Sequence, residues 1–308
     1  MMGRIRRLKE KLNLIVELVR KVDDLQKAVG RLEMRMSSPR ERFAQMLHAH
    51  EFKVYSQWGE DGIIQFLIHT VEITNPVFVE FGVQDYKESN TRFLLQNDNW
   101  SGLVIDASRE NIGIIKSDAL SYRNDLKADC DFIDRDNINQ IITRNGIAGD
   151  IGLLSIDIDG NDYWVWDAID CVSPRIVICE YDSLLGARHP VSTPYDKSFD
   201  RLRAHYSFLY GGASIRALHS LGKKKGYSLI GSNSAGNNLF FVRDDVRGAL
   251  PALAPEEAYV KARFRNSKDR EGRMTFLSFD ESLKLIRHMP LQDVESGKMV
   301  TVGDATDH

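Results

Sequence analysis

The 308-residue chain is poor in cysteine, and Cys130, Cys171 and Cys179 form neither a CxxC pair nor a His/Cys cluster with zinc spacing. That excludes a disulfide framework and a structural zinc site, and it points to a reducing compartment. No run of about 18 apolar residues is present, so no transmembrane helix is expected. Arg, Lys and Glu interrupt the start, which therefore lacks the apolar core of a signal peptide. A cytoplasmic protein is expected. The net charge of −3 is too close to neutral to imply a polyanion partner, so nucleic acid is not expected. No internal repeat is found.

What is present is ordinary globular composition, with 43% hydrophobic and 28% charged residues. The charge is unevenly spread: residues 1–36 hold ten Lys/Arg against five Asp/Glu, leaving −8 for the remainder. Within that basic start the apolar residues keep a heptad, with Ile15, Val22, Val29 and Met36 at one position and Leu18, Leu25 and Leu32 at the other. β-branched residues at a with Leu at d favour a parallel two-stranded coiled coil, hence a homodimer. The other reading is an amphipathic helix packed on its own domain. Arg4, Arg6, Arg7, Lys9 and Lys11 suit a solvated face, or a peripheral contact with anionic lipid at the inner face of a membrane, or a partner enzyme. Ser37-Ser38-Pro39-Arg40 reads as a linker.

Beyond Pro76 strands alternate with helices. The expected strands are Val77–Val83, Gly102–Asp106, Leu126–Phe132 (weaker), Ile151–Asp157, Arg175–Glu180, Tyr227–Gly231 and Asn238–Arg243. Continuous apolar strands such as 151–156 belong to a parallel sheet covered on both faces, and the last two strands form a hairpin. The chain divides into a basic helix or coiled coil (1–37), a helical lead-in (38–75), an α/β domain (76–245) and a C-terminal extension (246–308), with a frayed end.

Ligands of an open α/β sheet sit beyond the carboxyl ends of the strands. There, Glu80 and Gly82 follow the first strand, where glycine lets backbone approach a ligand and an acid can bind an amino group. Gln84 and Tyr86 stand where a phosphate-binding turn would carry further glycines, which disfavours a dinucleotide. Asp106 ends the second strand 26 residues after Glu80, placed to accept both hydroxyls of a ribose. A nucleoside cofactor without phosphates, S-adenosylmethionine, fits that combination.

The segment Asp157-Ile-Asp159-Gly-Asn-Asp162 packs three carboxylates into six positions after a buried strand. Asp157 or Asp159 can act as a general base on a hydroxyl, or the two with Glu180 can hold a divalent cation, Mg²⁺ or Mn²⁺. The same acids also suit helix caps. His189, in a long loop after the fifth strand, is a further candidate base. Trp164 and Trp166 read as packing residues.

Taken in order, Tyr55-Ser-Gln-Trp-Gly-Glu-Asp-Gly62, Val79-Glu-Phe-Gly-Val83 with Ser89-Asn-Thr91, Trp100-Ser-Gly-Leu-Val-Ile-Asp106, Ser155–Tyr163, and Gly226–Gly231 leading to Asn238–Phe241 resemble the FkbM-like class I S-adenosylmethionine-dependent methyltransferases of polysaccharide and secondary-metabolite clusters. The resemblance spans residues 50–245. It implies a Rossmann-like, mostly parallel sheet with helices on both faces and an antiparallel C-terminal hairpin. It also implies O-methylation of a sugar, glycan or small-molecule hydroxyl. By it, Glu80 and Gly82 contact the methionine part of the cofactor, Asp106 the ribose, and Asp129 or its neighbours the adenine; Asp157 serves both cofactor and chemistry. Two rival readings are a glycosyltransferase, since Asp157-Ile158-Asp159 reads as DxD, and a coiled-coil adaptor without activity.

Overall fold

The computed structural model describes residues 21–22, 25–33, 47–263 and 266–306. Its centre is a seven-stranded sheet built from β1 (Val77–Phe81), β2 (Ser101–Asp106), β3 (Leu126–Cys130), β4 (Gly149–Ile156), β5 (Val172–Glu180), β7 (Tyr227–Ser232) and β8 (Asn238–Arg243). The strand β6 (Val191–Ser192) lies between them in sequence but belongs to a second, three-stranded sheet with β9 (Pro290–Asp293) and β10 (Met299–Thr301).

The large sheet has the order β3-β2-β1-β4-β5-β8-β7. Strands β1 to β5 pair parallel, and β8 runs antiparallel to both of its neighbours. This is the expected Rossmann-like class I methyltransferase layout. The parallel strands are apolar on both faces because both faces are covered. Along β5, Val177 and Cys179 face one core while Ile176 and Ile178 face the other. In β8, Leu239 and Phe241 alternate with Phe240 and Val242 in the same way. Helices Ile138–Arg144, Asp162–Ala168 and Ile215–Lys225 cover the first face, and Glu60–Thr70, Arg92–Asn97 and Arg109–Ser117 the second. Trp166 is buried against Tyr227 and Phe241, and Trp164 donates from its indole to the Thr193 carbonyl at 2.8 Å, so both tryptophans pack.

Helix Arg109–Ser117 ends at Asp118, whose extended backbone stops it and whose carboxylate caps the next helix, Ala119–Arg123. The C-terminal extension is more ordered than expected. Helix Phe279–Ile286 and the segment from β9 to helix Val302–Thr306 share a core with Leu185, Val191, Leu209 and Tyr210. A two-residue strand such as β6 leaves no legible period in a sequence, which is why this sheet was missed.

Residues 25–33 are helical. Gly30 is turned inward, where a Cβ would lie 2.6 Å from Val54 Cγ2, and Arg31 donates to Asn97 Oδ1 at 2.7 Å. The heptad residues point outward: Val22, Leu25, Val29 and Leu32 are 56, 64, 48 and 55% exposed. Ile15, Leu18, Met36, the basic run 4–11 and the linker 37–40 lie outside the described residues. Among the described residues, no helix is long and apolar enough to cross a membrane.

Two glycines with opposite surroundings test the packing. A Cβ on Gly102 would lie 2.4 Å from the fully buried Phe78 ring, whereas one on Gly113, in an exposed helix turn, meets nothing within 4 Å. Gly102→Ala is expected to lower stability by about 1–3 kcal/mol through overpacking. Gly113→Ala is expected to raise it by up to ~1 kcal/mol through helix propensity. Urea unfolding of the two variants checks both signs.

Candidate functional site

The carboxyl ends of β1, β2, β4 and β5 open on one side of the sheet, where a cleft of about 660 Å³ lies between their loops. Its two loops from adjacent central strands come into contact at Gly82. With φ of +71°, a Cβ there would stand 1.8 Å from the Asp157 carbonyl oxygen. Only glycine fits this crossing, for both its left-handed backbone and its missing side chain. Gly82 thereby lets Asp157 reach the cleft floor.

Glu80 lines a small pocket beside the cleft, together with Gly82, Gln84 and Asp157. Its buried carboxylate accepts from Ser89 Oγ at 2.7 Å, Asn90 N at 2.9 Å, Thr91 N at 3.1 Å and the Thr91 hydroxyl. It pins the 89–91 segment to β1, and burial raises its pKa despite these donors. These bonds give Glu80 an anchoring role in the loop after β1. Ser89, Asn90 and Thr91 are the residues that single it out, and they were legible as a motif though not as its partners.

Asp106 lies in the cleft as expected. It accepts from Gln84 N and Ser108 N at 2.8 Å each and from Asn111 Nδ2 at 3.1 Å, which fixes its plane. Oδ1 takes both Ser108 N and Asn111 Nδ2, so Oδ2, with Gln84 N alone, is the oxygen that keeps acceptor capacity for a further donor. Asp129 does not line the cleft: Arg144 Nη2 at 2.8 Å and Asn145 Nδ2 at 2.7 Å occupy its carboxylate. Its neighbours Asp131, Phe132 and Ile133 line the cleft instead. The Phe132 ring, half exposed, offers a flat apolar surface there.

The roof comes from the lead-in. Asp61 Oδ2 gathers the amides of Val54, Tyr55 and Ser56 at 2.7, 2.7 and 2.8 Å, with the Ser56 hydroxyl at 2.9 Å. Glu60 accepts from Asn233 and Asn238 of the β7–β8 hairpin at 2.7 and 2.9 Å, and from Trp58 N at 2.8 Å. These two acids tie the segment 54–61 to the sheet and hold Gln57 and Trp58 over the cleft. The motif was visible in the sequence, but nothing there assigned these acids to backbone amides and a hairpin.

Opposite the roof lies the acid cluster. Asp157 and Glu180 have pKa values pushed well up, first by burial and then by neighbouring acids, Asp159 and Asp162 for Asp157 and chiefly Asp157 for Glu180. Asp162 is raised to about 6, chiefly by burial, although its two oxygens accept from Ile158 N at 2.8 Å and Gly160 N at 2.9 Å. Asp182 is raised to about 6 by burial as well. The counter-charge is Arg201, which donates to Asp159 Oδ1 at 2.8 Å and stands 3.9 Å from Glu180. Nothing in the Asp200-Arg201-Leu202-Arg203 stretch announced that role.

Asp159 thus faces the guanidinium, and the expected trio Asp157, Asp159 and Glu180 is not the one that converges. Asp157, Asp162 and Glu180 bring one oxygen each within 4.8 Å of the others. Since Asp162 is held by two backbone amides and Arg201 sits against the cluster, its positive partner here is the guanidinium. His189 is also displaced from the site: it lies near Asp293 of β9, and its carbonyl accepts from Ser214 Oγ at 2.7 Å. Asp157, Asp159, Glu180, Asp106 and Gly82 do share the cleft; Glu80 lies just behind it, and Asp129 and His189 lie outside.

No family model matches the chain, and no curated protein matches it. Among solved structures it is similar to the N-terminal domain of EvdMO1 with SAH bound, at 10% identity over 59% of this chain and 79% of that one, with a TM-score of 0.39. It is similar to an O-methyltransferase from Bacillus cereus in complex with SAH, at 16% identity over 64% and 84%, TM-score 0.39. A third is the CurJ carbon methyltransferase, at 7% identity over 62% of this chain and 56% of that one, TM-score 0.41. The chain thus spans little more than half of this last neighbour. The order and direction of the strands carry the fold; at these scores the likenesses add nothing about chemistry.

Proposed function

We propose that the chain is an S-adenosylmethionine-dependent O-methyltransferase of the FkbM-like kind, acting on a hydroxyl of a sugar, glycan or related metabolite. The observation that carries this reading is the charge and shape of the cleft at the ends of β1, β2 and β4. Asp106, Asp131, Asp157, Asp159 and Glu180 line it against one cation among the described residues, Arg201. An acid-rich cleft without a phosphate-cradling glycine turn suits a cationic nucleoside and repels a pyrophosphate. That argues against both a dinucleotide and the nucleoside-diphosphate sugar of a DxD glycosyltransferase.

In this reading Asp106 receives the ribose hydroxyls, the Phe132 ring flanks the adenine, and the Gly82–Gln84 backbone borders the methionine part. When bound, the cofactor supplies an electrophilic methyl on a sulfonium sulfur, which departs as a neutral thioether when the acceptor oxygen attacks. The chain has two tasks: aligning that oxygen and accepting its proton. Asp157 is assigned the proton, because its raised pKa brings a carboxylate base closer to the working pH. Glu180 shares the cluster, and the Arg201 charge opposes the upward shift of both acids. No divalent cation enters this reading.

The outward heptad stripe supports a second copy of the chain as partner. Its anchored opposite face leaves Val22, Leu25, Val29 and Leu32 in the arrangement a parallel two-stranded coil requires. Leu25→Glu with Val29→Glu is expected to turn a dimer into a monomer in light scattering, without loss of cofactor binding; a wild-type monomer overturns this part.

Calorimetric titration with SAH in the presence of EDTA tests the main reading. Micromolar binding is expected, with at least a tenfold loss in Asp106→Ala; well-folded protein that binds none contradicts it and favours the adaptor. Asp157→Asn is expected to cut methyl transfer by about 10²–10⁴-fold, as for loss of a general base, with the circular dichroism spectrum unchanged. Full activity in that variant would remove Asp157 from the chemistry.

A further inference from the structure

A second pocket of about 350 Å³ adjoins the cleft and shares Glu180, Arg201, Asn237 and Asn266 with it. Its far wall comes from the C-terminal extension, through Leu277, Phe279 and Ser282. The strand-like segment 259–263 is stitched across the end of β5. Tyr181 donates its hydroxyl to the Val260 carbonyl at 2.6 Å, Ala262 N donates to Ser183 Oγ at 3.1 Å, and Tyr259 donates to the Ser183 carbonyl at 2.8 Å. On its other side the segment lies so close to Gly236 that a Cβ there would come 2.6 Å from the Val260 carbonyl oxygen. The extension is therefore built onto the site rather than hung beside it.

Two polar atoms in this pocket are buried and make no hydrogen bond among the described residues: Asp182 Oδ2 and Arg201 Nε. One is an acceptor and the other a donor, and leaving both empty costs about 1–3 kcal/mol each. A hydroxyl both donates and accepts, so a ligand with hydroxyl groups satisfies the pair. The pocket also carries Lys261 and Arg263, both exposed, and among the described residues neither forms an ion pair with a carboxylate. Lys261 Nζ is held 3.9 Å from the centroid of the Phe279 ring in the same wall. The two pockets thus differ in charge: the cofactor cleft is acid-rich, and the second adds two cations that no carboxylate pairs among the described residues.

We propose that the second pocket binds the acceptor, and that this acceptor carries an anionic group, a carboxylate or a phosphate, gripped by Lys261 and Arg263 while Asp182 and Arg201 engage its hydroxyls. This rests on the methyltransferase reading for the word acceptor, but not for the anion site. Glu180, shared by both pockets, lies where an acceptor hydroxyl passes from one to the other. The acid cluster around Asp157 repels an anionic group and so favours the orientation that leaves the anion at the Lys261 end.

The test is saturation-transfer NMR on the full chain saturated with SAH, titrated with glucuronate, glucose 6-phosphate and glucose. At least one acidic sugar is expected to bind five-fold or more tightly than glucose, and the arm that does so identifies carboxylate or phosphate. That preference is expected to vanish in Lys261→Glu with Arg263→Glu, whose exposed side chains leave the fold and SAH affinity unchanged. Acidic sugars no better than glucose, no binding by any of the three, or a preference that survives the double substitution, each overturns the proposal. If wild-type protein fails to bind SAH, the methyltransferase reading falls separately. The same titrations on cofactor-free protein then decide the anion site by the same criteria.

Discussion

The crossing of Gly82 over the Asp157 carbonyl holds the site together. Strands β1 and β4 are neighbours, so their loops leave the sheet side by side, and any side chain at position 82 would force them apart. With the loops in contact, the floor of the cleft is backbone on one side and the half-buried Asp157 carboxylate on the other. Glu80 secures the same loop from behind by taking up the 89–91 segment. The result is a rigid rim built before any ligand arrives, which is what positional chemistry demands.

A second constraint is electrostatic. Asp157, Asp159, Asp162, Glu180 and Asp182 crowd the ends of β4 and β5, and burial raises the pKa values of Asp157, Asp162, Glu180 and Asp182. Arg201, itself largely buried, opposes this by pairing with Asp159 and standing near Glu180. Asp162 is stabilised differently, by two backbone amides of the loop that precedes its helix, so its job is local structure. The cluster thereby sorts itself into Asp162, which organises the loop, Asp159, paired with the guanidinium, half-buried Asp157 and Glu180 with raised pKa values facing the cleft, and Asp182, which lines the adjoining pocket.

The sheet was legible because buried parallel strands are long apolar runs, and β8 matched its expected bounds, Asn238–Arg243. The site was legible where strand ends fix a residue's place, as for Gly82, Asp106, Asp157 and Glu180. It was illegible where a side chain's partners come from far along the chain. Glu80 and Asp129 are acids at strand ends like Asp106, yet one is consumed by a loop ten residues on and the other by Arg144. Arg201 and Lys261 enter through long connections whose paths no local period reveals. His189 drew attention as a loop histidine, and the three-stranded sheet carries it away from the cleft.

The measurement that bears most directly on the central claim is a crystal structure of the chain grown with SAH. The account predicts the ribose hydroxyls on the Asp106 carboxylate, adenine against Phe132, and the sulfur turned toward Asp157, with the second pocket left open. A ligand bound in the second pocket, or one that makes no contact with Asp106, would contradict it.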